Sequence, residues 1–194
     1  MEVKPARERI LDAAAAVMRE KGLANTTTKA IAAAAGYSEA LLYKHFADKQ
    51  ELFLTVLKER VPQARLDSPG DGELIDNLTA IVEQLMGFFT QTFPIAASVF
   101  GAPELLAEHR KAMMGRGHGP AGPVHGVQSY LDAEQHAGRI SAASDTASAA
   151  RLLVGAAFHQ GFLAAFDGFR TVGNAHAIAA GIVATILPAL TETQ

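Results

Sequence analysis

The chain has 194 residues, with 17 Lys and Arg against 20 Asp and Glu, a net charge of −3, 49% hydrophobic side chains and no cysteine. This apolar content at so low a net charge excludes a disordered chain, because burial can offset the entropy of ordering the backbone, and the lack of cysteine excludes disulfides, thiolate chemistry and zinc ribbons. No charged segment followed by an apolar run opens the sequence, and its most apolar stretches, Leu152 to Phe158 and Ala177 to Leu187, fall short of the roughly 20 residues that cross a bilayer; a soluble, cytoplasmic protein with no membrane partner is expected.

Alanine supplies 38 residues, and strand-like alternation is hard to find, so the fold class is all-α. A first helix is predicted from Pro5 to Lys21, with Ile10, Ala14, Val17 and Met18 on one stripe and Gly22 as its stop. Thr26, Thr27 and Thr28 offer oxygens to the unpaired amides of a short helix from Lys29 to Ala35, which Gly36 ends. Tyr37 and Ser38 then leave room only for a sharp turn before a helix from Glu39 to Phe46. Two short helices joined this way form a helix-turn-helix. A capping box, Asp48-Lys49-Gln50-Glu51, starts a helix from Lys49 to Val61, and Pro62 to Gly72 reads as a linker.

Beyond the linker, Glu73 to about Phe93 is a long amphipathic helix that Pro94 should break or kink. Pro103 to Met114 is another helix, Gly115 to Pro123 a loop, and Val124 to Ala137 a further helix. The chain closes with two helices, Asp145 to about Phe166 and Asn174 to about Leu190, that are apolar on nearly every side.

Charge is divided unevenly. Up to Val61 there are 10 basic and 8 acidic residues, beyond it 7 and 12, so the front end is the better candidate to meet a polyanion. On the helix Glu39 to Phe46, Leu42 and Phe46 are four apart and must face the core with Tyr37 and Ile31. Glu39, Ala40, Leu41, Tyr43, Lys44 and His45 are left on the side that a major groove would meet. Thr28 and the first amides of the preceding helix can bond a phosphate, with Lys29 and Lys49 at the flanks.

The stretch from Thr27-Thr28-Lys29 through Ala35-Gly36-Tyr37-Ser38 to Leu42-Tyr43-Lys44-His45-Phe46, followed by Asp48-Lys49 and Glu51-Leu52, resembles the tetracycline-repressor (TetR/AcrR) family of bacterial transcription regulators. The Leu-Tyr-x-His-Phe run separates it from a generic helix-turn-helix. The resemblance implies a three-helix helix-turn-helix domain, placed at 1–48, and a helical ligand-binding and dimerisation domain at 49–194. It also implies that Thr28, Tyr43, His45 and Lys49 hold phosphates; Thr27 and Lys29 are counted with them among the DNA-binding residues. Base reading falls to Ser38, Glu39, Ala40, Leu41 and Lys44: a carboxylate accepts from cytosine N4, and Ala40 or Leu41 can press on a thymine methyl. Where the family often has Lys-Gly or Pro-Thr, this chain has Glu-Ala-Leu. Plainer readings stand beside these: Tyr43 as packing, His45 as surface, Glu39 as a favourable charge at a helix start.

From Leu152 to Phe166 no residue is charged. A helix of that kind needs a partner on its outer side, so the last two helices are expected to build a homodimer. A dimer would set two recognition helices about 34 Å apart on an inverted-repeat, double-stranded DNA operator. Phe88, Phe89, Phe93, Phe100, Phe158 and Phe162, with Met113 and the polar Gln128 and His159, are candidates to line a site for a small hydrophobic or aromatic ligand, although each phenylalanine taken singly reads as core. The implied function is a ligand-responsive regulator, with repression the favoured mode, released from DNA when the ligand binds; the helix from Lys49 to Val61 would be the lever. The alternative is a helical homodimeric small-molecule-binding protein with no role on DNA.

An enzyme is not expected. The seven histidines have no metal spacing, the stretch GRGHGPAGP lacks the Lys-Ser/Thr of a phosphate loop, and no Gly-x-Ser-x-Gly elbow occurs. No catalytic residue, metal ligand or cofactor is assigned.

Overall fold

The computed structural model describes residues 4–22, 25–60, 72–114 and 119–191, with the backbone alone over 112–114. Among these residues all regular structure is helical: α1 (Ala6–Lys21), α2 (Thr28–Ala35), α3 (Glu39–His45), α4 (Lys49–Glu59), α5 (Leu74–Phe100), α6 (Pro103–Met114), α7 (Gly122–His136), α8 (Thr146–Phe166) and α9 (Ala175–Thr191). The expected linker from Pro62 lies outside the described residues up to 71, as does the loop expected from Gly115 over 115–118.

Local chemistry sets most boundaries. The side chains of Thr27, Ser38, Asp48 and Asp145 each cap a helix by accepting from the amide three residues on, of Ala30, Leu41, Glu51 and Ser148. Gly36 ends α2 in the left-handed conformation, at φ 74°. Two boundaries differ from expectation. Of the break or kink expected at Pro94, the break does not occur, since α5 continues to Phe100: burial of Ile95 and Val99 just beyond it outweighs a penalty of about 3 kcal/mol for proline in a helix. Pro123 does not precede α7 but sits in its first turn, where its missing N–H would have had no partner anyway.

The chain divides into two compact units, Met1–Pro62 with Pro94–Gly115, and Gln63–Phe93 with Arg116–Gln194. In the first, Ile10, Leu11, Met18, Ile31, Leu42, Leu52 and Val56 form a continuous core that also takes in Ile95, Val99 and Leu105. The packing unit is therefore larger than residues 1–48, because α4 supplies core side chains to it. An ion-pair cluster ties the end of α4 to α1. Arg7 forks onto Glu59 with bonds of 2.8 and 3.0 Å, and Arg60 donates to Asp12 at 2.8 Å and to Glu8. Arg7 holds the Glu59 carboxyl below the usual range. At Asp12 partial burial pulls the other way, but hydrogen bonds from Lys4 and Arg60 win and hold that carboxyl low as well.

In the second unit Leu78, Ile81, Leu85, Met86, Leu131, Leu153, Ala157 and Val183 form the core. Gly161 of α8 lets that helix approach α5 closely: a Cβ there would stand 2.6 Å from Phe89 Cβ and 2.9 Å from the Thr90 nitrogen. Buried Glu134 accepts from Arg139, which also donates to the Gly72 carbonyl. Burial, reinforced by neighbouring Glu134, pushes the Tyr130 hydroxyl up to about 12. By length and composition α8, at 21 residues, is apolar enough to cross a membrane, a longer run than the sequence count from Leu152 suggested. Its inner face, including Ala150, Leu153 and Ala157, is packed into this core, as in the core helix of a globular unit.

Candidate nucleic-acid interface and aromatic cluster

The recognition segment is built by what α3 buries. Leu42 is 1% exposed and Phe46, one residue past the end of the helix, is 3% exposed, both against Ile31 and Leu52 in the first unit's core. Tyr37 packs against the same core. With α3 anchored on that side, Ala40, Tyr43, Lys44 and His45 are exposed, Tyr43 to 51%, and Leu41 is half-buried. Lys29, Ser38 and Lys49 are exposed as well. The Lys49 ammonium lies 5.0 Å from the centre of the Phe53 ring, an arrangement that restrains a long side chain without burying its charge.

The three threonines that lead into α2 have separate tasks. Thr26 is buried and donates to the Gly22 carbonyl at 2.7 Å, and Thr27 caps α2. Thr28 is the first residue of α2, and its hydroxyl donates to Glu39 Oε2 at 2.7 Å. A candidate phosphate contact and a candidate base reader are thus joined in the free protein. Ser38 is committed too, since its oxygen receives the Leu41 amide at 3.3 Å.

Arg9 is a residue that sequence reasoning missed. It donates to the Ala35 carbonyl at 3.0 Å and to the Tyr37 hydroxyl at 3.1 Å, and its guanidinium lies 4.8 Å from the Tyr37 ring centre. It therefore braces the turn that aims α3. The only hint in the sequence was general: the carbonyls ending α2 need donors, and the Gly36 and Tyr37 amides serve only those of Ala33 and Ala32.

Of the ligand candidates, five meet in the second unit. Phe88 and Phe89 are 5.0 Å apart between ring centres, Phe89 and Phe158 5.2 Å, Phe93 and Phe158 6.0 Å, and Phe93 and Phe162 5.0 Å, all edge to face. Phe166 extends the chain of rings at 6.0 Å. Gln128 is half-buried on α7 and His159 is exposed on α8. Phe100 belongs to the first unit and is 69% exposed; the side chain of Met113 lies outside the described residues. A separate open cleft of about 800 Å³ occurs in the first unit, lined by Lys21, Lys49, Phe53, Ser98, Pro103 and Leu105 among others, and none of the expected ligand residues borders it.

The outer sides of the last two helices are apolar and uncovered in the single chain. Leu152, Leu163 and Phe166 of α8 are exposed, with Gly155 and His159 on the same stripe, and α9 shows Ala177, Gly181, Ala184 and Pro188. The spacing of these residues is that of one helix face in each case.

Comparison with known proteins agrees with this architecture. The sequence model of bacterial regulatory proteins of the tetR family matches residues 10–56, the segment from α1 into α4. The helix-turn-helix regulator UidR of Escherichia coli K12 is 30% identical over 160 residues, covering 79% of this chain and 78% of UidR. The regulator YvkB of Bacillus subtilis is 34% identical over 88 residues, or 43% of this chain, and the match spans about half of that relative, 47%. In three dimensions the chain is similar to the regulator FadR of Bacillus subtilis, solved in complex with stearoyl-CoA, with a TM-score of 0.64, 15% identity and coverage of 94% of this chain and 98% of FadR.

Proposed function

Because the chain belongs to the TetR family of bacterial regulatory proteins, whose members are helix-turn-helix transcription regulators and not enzymes, we propose that it is a ligand-responsive repressor that binds a palindromic operator as a homodimer. One observation carries this reading: α3 is anchored by Leu42 and Phe46, so that Ala40, Tyr43, Lys44 and His45 stand free on one side. That side is uncharged by acids except at Glu39, and the flanking Lys29 and Lys49 are exposed. In the proposal Thr27, Thr28, Lys29, Tyr43, His45 and Lys49 position the duplex through phosphates, while Ser38, Glu39, Ala40, Leu41 and Lys44 read bases. DNA binding is assigned to 1–48 and ligand binding with dimerisation to 49–194.

Dimerisation through α8 and α9 is supported by their uncovered apolar stripes. Closing two such stripes about a dyad removes apolar area from water and brings two recognition helices to one face of a duplex. The ligand is a small hydrophobic or aromatic molecule. Support comes from the cluster of Phe88, Phe89, Phe93, Phe158 and Phe162, and from the long acyl chain carried by the ligand of FadR. Phe100, Met113, Gln128 and His159 complete the proposed set. The ligand would release DNA by favouring a dimer shape whose recognition helices no longer match the groove spacing; a tenfold loss of affinity needs about 1.4 kcal/mol of differential binding. Such a regulator works in the cytoplasm.

Selection of bound sequences from a random duplex pool tests the whole reading. An enriched inverted repeat with half-site centres one helical turn apart, or a multiple of it, is the expected result; recovery of no enriched sequence would refute it.

A further inference from the structure

We propose that Glu39 is an internal gate on the Thr28 hydroxyl: the carboxylate occupies the donor that a DNA phosphate needs, and releases it fully only where a base offers the carboxylate a new partner. The inference rests on the DNA-binding assignment above.

A threonine hydroxyl has one proton to donate. That of Thr28 is given to Glu39 Oε2 at 2.7 Å, across the turn from the first residue of α2 to the first of α3, with both residues partly buried. A phosphate oxygen within hydrogen-bonding distance of Thr28 would therefore meet a carboxylate already in place. Like charges at that range repel, so the Glu39 side chain must swing away before the phosphate can take the hydroxyl. Among the described residues this bond is the carboxylate's one hydrogen bond, and Glu39 is only partly buried, next to exposed Ala40.

The two outcomes of the swing differ with sequence. On arbitrary DNA the released carboxylate mostly faces base-edge acceptors, phosphates or a donor out of line with it, and the lost Thr28 bond is then not replaced. Opposite a correctly placed cytosine the N4 amino group donates to it. Phosphate docking at Thr28 and base reading at Glu39 are then coupled: the contact made with any duplex is weakened, and the contact with the right duplex is not. The gate thus widens the gap between specific and non-specific binding, which is the quantity that matters among many competing sites.

Fluorescence anisotropy on a random-sequence duplex and on the operator recovered by selection tests this with the full chain. Glu39→Ala is expected to bind the random duplex about fivefold more tightly than wild type, the equivalent of one ordinary hydrogen bond regained, while losing affinity for the operator. In a Thr28→Val background the same Glu39→Ala change is expected to alter random-duplex binding less than about twofold, since no hydroxyl is left to release. Glu39→Gln, which keeps the shape and an acceptor, should fall between, and circular dichroism checks that each variant is folded. An equal gain with and without the Thr28 hydroxyl would reduce the effect to removal of a negative charge and overturn the gate, as would no gain at all. Wild-type protein that holds neither duplex at low salt would overturn the DNA-binding assignment itself, a result distinct from failure of the gate.

Discussion

Gly161 on α8 lies against Phe89 on α5 so closely that a methyl group on it would be 2.6 Å from Phe89 Cβ and 3.1 Å from the Met86 carbonyl oxygen. With the Thr90 nitrogen at 2.9 Å there are three such neighbours, and two of them, that nitrogen and the Met86 oxygen, are backbone atoms, which cannot rotate away. Gly161→Ala is therefore expected to destabilise the second unit by about 1–3 kcal/mol, the usual cost of overpacking, despite alanine's better helix propensity. Gly87→Ala on α5, with nothing within 4 Å, should instead stabilise by up to about 1 kcal/mol. Paired denaturant melts check both; equal effects would mean that the close approach is not a real constraint.

Lys49 is exposed, stacked on Phe53 and one residue past the cap of α4. Lys49→Ala should weaken binding to every duplex by a similar factor and flatten the plot of log affinity against log salt by about 0.9, the contribution of one phosphate. Titrations at several salt concentrations measure this, and a change of base preference in the variant would assign Lys49 to reading instead.

The carboxyls of Glu59 and Asp12 are both held below their usual range by their arginine and lysine partners. A depressed folded-state pKa means stability that is complete above the unfolded value, about 4, and lost as pH falls through the folded value. Melting temperature should thus be level near neutral pH and drop in acid. Arg60→Gln, which removes donors to Asp12 and Glu8, should cost about 0.5 kcal/mol at pH 7 for a part-exposed cluster, and its deficit should narrow towards pH 3. A deficit constant with pH would place its origin in packing.

Leu152 and Phe166 are exposed to 64% and 78% on the outer stripe of α8. A Leu152→Glu, Phe166→Glu double variant should sediment as a monomer and the parent chain as a dimer, and the variant should lose operator affinity by far more than Glu39→Ala does, since one half-site contributes little alone. Parent chain sedimenting as a monomer at micromolar concentration would refute dimerisation through this face.

Sequence alone determined the features that depend on neighbours within a few residues. The all-helical class follows from composition and periodicity, and the caps at Thr27, Ser38 and Asp48 from side-chain oxygens three residues before an unpaired amide. The buried pair Leu42 and Phe46 could be read from a spacing of four, and with it the outward side of α3. The Leu-Tyr-x-His-Phe run pointed to the family.

Tertiary structure decided whatever joins residues distant along the chain. Thr28 looked free to meet a phosphate, but the angle between α2 and α3 hands its proton to Glu39, 11 residues on. Arg7 meets Glu59 across 52 residues, and no local pattern marks that pair. Pro94 predicts a break or a kink, and burial of Ile95 and Val99 decides against the break by carrying α5 past it. Of the phenylalanines chosen by composition, those on α5 up to Phe93 and on α8 meet, because Gly161 lets the two helices close, whereas Phe100 stands exposed in the other unit. Local propensity is written in short windows of sequence; which distant groups satisfy or obstruct one another is settled only when helices pack.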